Sequence, residues 1–149
     1  MFNAYDLSII MLSSYFGCTY EYFMLERLIA IAGGGAIGSL ARYLLSSWVE
    51  GYFENRNFPV GIFVCNVLGS FVIGIIIGFM INKTEPSAVW RLFLVVGLCG
   101  GFTTFSSFSL DTISLLRSGA VGMAMMNITF SVGGCLLATY VGLIAVKNM

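Results

Sequence analysis

From Gly97 to Ser109 the chain reads Gly97-Leu98-Cys99-Gly100-Gly101-Phe102-Thr103-Thr104-Phe105-Ser106-Ser107-Phe108-Ser109, a glycine pair followed by hydroxyl residues interleaved with phenylalanine. Hydroxyls donate hydrogen bonds and ring edges carry the positive rim of the aromatic quadrupole, so the set suits a small anion. Gly-Gly and Thr-Thr are also poor helix formers, which predicts a local unwinding here. Carbonyls freed at such a break are ligands for a hard cation such as Na⁺, as in discontinuous transporter helices. The opposing reading is that Ser and Thr bond back to their own helix carbonyls while the rings face lipid.

The other polar residues in apolar surroundings are Arg42, Asn66, Ser70, Asn127, Thr129 and Ser131. Each has a cost in lipid that a partner or water must offset, which makes it a functional candidate. Asn66 has an amide to donate either to an anion or to a neighbouring helix. Arg42 either snorkels to the interface or raises the potential at a pore mouth. A large organic cation would call for a buried carboxylate, and none falls within these stretches.

The elements that position these residues follow from scarcity of charge. Only 9% of residues are charged, against roughly 25% in soluble domains, while 58% are hydrophobic and 18 more are Gly. With a mean hydropathy of +0.95, an ordinary water-soluble globule is excluded and the lipid bilayer is the expected solvent. There is no His, and the acidic residues are scattered, so neither a zinc site nor a di-carboxylate active site is expected. Net charge is zero, and no basic face can be drawn for a nucleic-acid partner. The cysteines Cys18, Cys65, Cys99 and Cys135 form no C-x-x-C pair; they read as small buried membrane residues rather than a disulfide or metal set.

An ion at a helix centre costs about 2.5 to 3.5 kcal/mol on insertion scales, so charges mark the span boundaries. Spans are predicted at about 28–49, 58–82, 90–116 and 120–146, each near or above the roughly 20 residues that cross a bilayer core. The fold class is an all-α polytopic membrane protein with four transmembrane helices, the third broken near its middle. Residues 26–149 form this domain. Residues 1–25 are expected to be a loose, interfacial or disordered extension, with Met24 a candidate start because the regular pattern begins at Leu25-Glu26-Arg27. An even number of spans puts both ends on one side. Arg27, Lys83, Arg91 and Lys147 then face Arg56 and Arg117, with Arg42 near the latter end. So weak a positive-inside bias predicts insertion in both orientations and antiparallel pairing. Small residues recur at four-residue spacing (Gly34 and Gly38; Ser70, Gly74 and Gly78; Gly97 and Gly101; Gly134, Ala138 and Gly142), which lets helix backbones approach closely.

Three ordered motifs now carry a resemblance. Gly33-Gly34-Gly35-Ala36-Ile37-Gly38-Ser39-Leu40-Ala41-Arg42-Tyr43, then Phe58-Pro59-Val60-Gly61-Ile62-Phe63-Val64-Cys65-Asn66-Val67-Leu68-Gly69-Ser70-Phe71, then the Gly97–Ser109 stretch resemble the bacterial fluoride channel family, the Fluc or CrcB proteins, over about residues 26 to 147. The resemblance implies an antiparallel, dual-topology homodimer in the cell inner membrane that passively carries fluoride out of the cytoplasm. It implies one structural, non-transported Na⁺ at the dimer centre, held by backbone carbonyls of Gly100 and Thr103. It further implies a fluoride pathway along Asn66, Phe105, Phe108, Ser106, Ser107, Ser109 and Ser131, with Arg42 at the vestibule. Family members often have Ser where this chain has Cys135, a weaker donor.

A second function class shares the size and topology: a small four-helix proton-coupled exporter of cationic compounds. It needs a titratable carboxylate within a span, and the nearest candidates, Glu26, Glu50 and Asp111, fall at span ends. A third is an assembly subunit without transport, against which the polar centre of the third span argues. No nucleophile has a base beside it in any motif, so an enzyme is not expected.

Overall fold

The structure, a computed structural model, describes residues 4–53, 58–82 and 87–147, with side chains described from Phe23 onward. Its elements are α1 (Ala4–Tyr52), α2 (Val60–Asn82), α3 (residues 88–102), α4 (Phe105–Arg117) and α5 (Val121–Lys147). Helices long and apolar enough to cross a membrane cover Phe23–Tyr52, Val60–Ile81, Ala88–Arg117 and Val121–Val146. The third of these is α3 and α4 in series. Seven of the eight span ends deduced from charge fall within three residues of the observed ones; the expected start of the first span, at residue 28, coincides with no helix end. In the region expected as an extension, the backbone from Ala4 is already helical and continuous with the first span. Residues 1–3 lie outside the described residues.

Two glycine seams hold the bundle. In the first, α1 crosses α3 at backbone contact: a Cβ on Gly34 would meet Phe93 O, one on Gly38 would meet Leu98 O, and one on Gly101 would lie 2.6 Å from Gly35 O. In the second, α2 crosses α5, with Gly74 against Thr139 O and Gly142 against Phe71 O. The small-residue stripes read from the sequence therefore face each other in pairs. Lipid gives no hydrophobic drive between helices, so this close dispersion contact is what associates them. Thr139 Oγ1 adds a hydrogen bond to Ser70 O across the second seam (3.0 Å).

The turn into α5 is built by Gly119 at φ 79°. Ala120 N donates to Leu115 O (2.9 Å) and Gly119 N to Leu116 O (3.1 Å), the Schellman pattern that closes a helix through a left-handed residue. It returns the chain antiparallel and lays α5 beside α4.

Candidate functional site: a broken third span

The third span departs from regular α geometry twice. From Leu92 to Cys99 it is π-helical, a wider winding that is rare outside single-turn bulges and frequently found at functional sites. At Thr103 (φ −88°, ψ 151°) and Thr104 (φ −148°, ψ 117°) the backbone becomes extended before α4 begins. The expected unwinding is present, and it falls on the threonine pair; Gly100 and Gly101 remain helical.

Local chemistry explains why the break is tolerated. Thr104 is the N-cap of α4: its Oγ1 accepts from Ser107 N (3.3 Å) and donates to Ser107 Oγ (3.2 Å), with Ser106 Oγ 3.1 Å away. Across the bundle, Asn66 of α2 pairs with the Thr104 peptide at both ends. Thr104 N donates to Asn66 Oδ1 (2.7 Å) and Asn66 Nδ2 donates to Thr104 O (3.1 Å). Backbone opened at membrane depth is thus satisfied by one buried amide. Gly69 keeps α2 close, since a Cβ there would collide with the Thr103 methyl group.

Satisfying Thr104 leaves other groups free. In an unbroken helix Thr104 N would donate to Gly100 O, and Ser107 N to Thr103 O; here those N–H groups go to Asn66 and to the Thr104 hydroxyl. The Gly100 and Thr103 carbonyls have lost their i+4 helical donors, and carbonyl oxygens are the kind of ligand a hard cation takes. Thr103 Oγ1 is occupied by Cys99 O (2.9 Å).

These groups surround an open groove of about 430 Å³ lined by Asn66, Ser70, Gly100, Thr103, Phe108 and Ser131, among others. Phe105 also borders it; its ring lies 5.3 Å from that of Phe108 and is 77% exposed. Asn66 has a second amide N–H beyond its Thr104 bond to offer there. The remaining residues named from the sequence take different positions. Ser106 and Ser107 belong to the Thr104 cap, and Ser109 donates to Phe105 O of its own helix (2.9 Å). Arg42 lies on α1, where its carbonyl accepts from Cys65 Sγ (3.7 Å).

A second polar cluster joins α4 to α5. Asn127, 2% exposed, donates to Thr112 Oγ1 (2.9 Å) and accepts from Ser131 Oγ (3.3 Å), while Thr112 itself donates to Phe108 O (2.8 Å). Thr104 entered the sequence reading only as half of the poorly helical threonine pair, not as a cap, and Thr112 had no role in it. For Thr104 a signal existed, a hydroxyl residue opening a helix with Ser at the third position beyond it, a weak form of a capping box. For Thr112 none did. Glu50 and Asp111, the carboxylates an exporter would need within a span, line a separate cavity of about 530 Å³ between the C-terminal ends of α1 and α4 and the start of α5. The mid-span groove has no carboxylate in its wall.

Four apolar crossings, one interrupted at membrane depth beside an uncharged, mainly apolar groove with a few polar groups in its wall, define a multi-pass helical membrane protein with a discontinuous span. A model of the family described as "CrcB-like protein, Camphor Resistance (CrcB)" matches residues 29–143, and the chain belongs to that family. It is similar to proteins named "Fluoride-specific ion channel FluC". One from Geotalea uraniireducens is 43% identical over 84% of this chain and 100% of that protein. Another, from Hydrogenovibrio crunogenus, is 45% identical over 83% of this chain and 92% of its own length. A third, from Agrobacterium fabrum, is 43% identical over 83% and 98% respectively. Proteins so named are channels, and the chain is accordingly not an enzyme.

Proposed function

We propose that the chain is a fluoride-specific channel that passively exports F⁻ from the cytoplasm across the inner membrane. The observation that carries this reading is the break at Thr103–Thr104, which collects an amide, hydroxyls and ring edges around a groove without placing a formal charge in it. Relatives that align over nearly their whole length and are named as fluoride channels support the choice of anion. Conduction needs binding strong enough to replace hydration and weak enough to release. Neutral donors and the rims of Phe105 and Phe108 meet that requirement; a buried Lys or Arg would hold the anion too firmly.

The functional unit is an antiparallel homodimer with both orientations in the membrane. Phe105 is exposed beside an open groove, as expected where a second copy completes the wall. At the centre, Gly100 and Thr103 carbonyls from both copies would hold a structural Na⁺, which supplies positive charge that ties the broken helices together. Asn66 is both strut and donor, Ser131 donates from the groove wall, Ser106, Ser107 and Ser109 join the path only by exchanging their present bonds for the anion, and Arg42 draws anions to the vestibule.

Fluoride efflux from proteoliposomes tests the reading. The expected result is F⁻ flux far above Cl⁻ flux, with loss of activity when Na⁺ is withheld during purification; equal flux of the two anions would overturn it. Asn66→Asp is expected to abolish F⁻ flux by repelling the anion.

A further inference from the structure

Two thiols share the groove. Cys99, at the end of the π-helical stretch, and Cys135, on α5, both line it along with Val95, Val132 and Leu136. Cys99 is 3% exposed and its thiol has no hydrogen-bond partner among the described residues. Cys135 is partly exposed. Cys65 is different in every respect: it is 0% exposed, its thiol donates to Arg42 O, and it lines neither cavity. Among the described residues there are therefore two thiols in the groove wall, Cys135 the more exposed, and a sealed one that serves as an internal reference.

We propose that Cys135 is a modification site for small, uncharged, thiol-reactive electrophiles, and that an adduct there closes the anion path. The closure rests on the reading of this groove as the path. With methyl methanethiosulfonate as probe, the Cys135 thiolate attacks the divalent sulfur of the S–CH3 group. A new S–S bond forms, the bond to the sulfonyl sulfur breaks, methanesulfinate leaves with the electron pair, and the thiol proton goes to water. The product places an apolar methylthio group in the groove of about 430 Å³ that Asn66 and Ser131 also line. An anion passing there loses both space and donors. Cys99, more deeply buried, reacts more slowly at the same reagent concentration.

The full chain in proteoliposomes is treated with the reagent, assayed for F⁻ efflux, then digested and mapped by mass spectrometry. The expected result is an adduct on Cys135 in the folded protein with Cys65 unmodified, a fall in flux of about tenfold, one 1.4 kcal/mol step in barrier, and recovery on adding dithiothreitol. Cys135→Ser is expected to keep its own untreated flux after treatment, which also removes Cys18 from consideration. Unchanged flux with Cys135 fully modified, inhibition that persists in Cys135→Ser, or a Cys135 that reacts only after unfolding would each overturn the proposal. Should the untreated protein pass no fluoride, the proposed function fails on that result alone. The adduct pattern on the folded chain would still decide whether the site exists.

Discussion

Asn66 and Asn127 are both buried amides at membrane depth, and both reach toward the broken third span, yet they do different work. Asn66 bonds to backbone, taking the N–H and C=O of Thr104 together. Asn127 bonds to side chains, the hydroxyls of Thr112 and Ser131. A peptide group cannot leave its place when its partner is removed, whereas a hydroxyl can rotate to another acceptor. The first amide therefore holds a conformation the chain would not otherwise keep, and the second adds an ordinary interhelical contact.

The sharpest way to break this contrast is Asn66→Ala. It leaves a buried N–H and a buried C=O unpaired, at about 1 to 3 kcal/mol each, so thermal unfolding in detergent should show a large fall in stability and efflux should be lost. If stability changed by less than 1 kcal/mol, Asn66 would be no strut. Next in size is Thr104→Val, which keeps the Asn66 pairing to the peptide and removes only the cap. The expected loss is about 1 kcal/mol, the usual worth of an N-cap, with flux reduced through a loosened start of α4. A loss equal to that of Asn66→Ala would mean that the hydroxyl, not the amide, holds the break. Asn127→Leu comes third: hydrogen bonds between membrane helices average about 0.6 kcal/mol, and hydroxyl partners can re-pair. Its unfolding midpoint should shift little.

Much of this was legible in the residues. Charge positions marked the spans, and the small-residue stripes marked faces that do meet. The break was expected from the Gly and Thr pairs, but its place was set by a contact between residues 38 apart, Asn66 with Thr104, which no local pattern encodes. The π-helical winding of Leu92–Cys99 lies where α3 meets Gly34 and Gly38 of α1 at backbone contact, a tertiary feature that no local pattern announces. The back-bonding alternative holds for three hydroxyls: Thr103, Ser109 and Thr112 each donate to the carbonyl four residues earlier. Residue type alone did not separate them from Thr104, whose hydroxyl turns forward to cap α4.

Ser131 gives the smallest expected change in stability and the finest test, because it belongs to the Asn127 cluster and to the groove at once. Its proton is directed at Asn127 Oδ1 over 3.3 Å, a long bond that an anion in the groove can compete for. Ser131→Ala removes that weak contact and should cost about 0.5 kcal/mol in unfolding. Its effect on flux separates two roles. If the hydroxyl serves only Asn127, Ser131→Ala and Asn127→Leu should leave efflux equally intact. If it donates to the passing anion, Ser131→Ala should slow efflux several-fold, whereas Asn127→Leu, which frees the same proton, should hold or raise it. The proposed path requires the second pattern, and opposite signs in these two variants, at nearly equal stability, would place Ser131 in it.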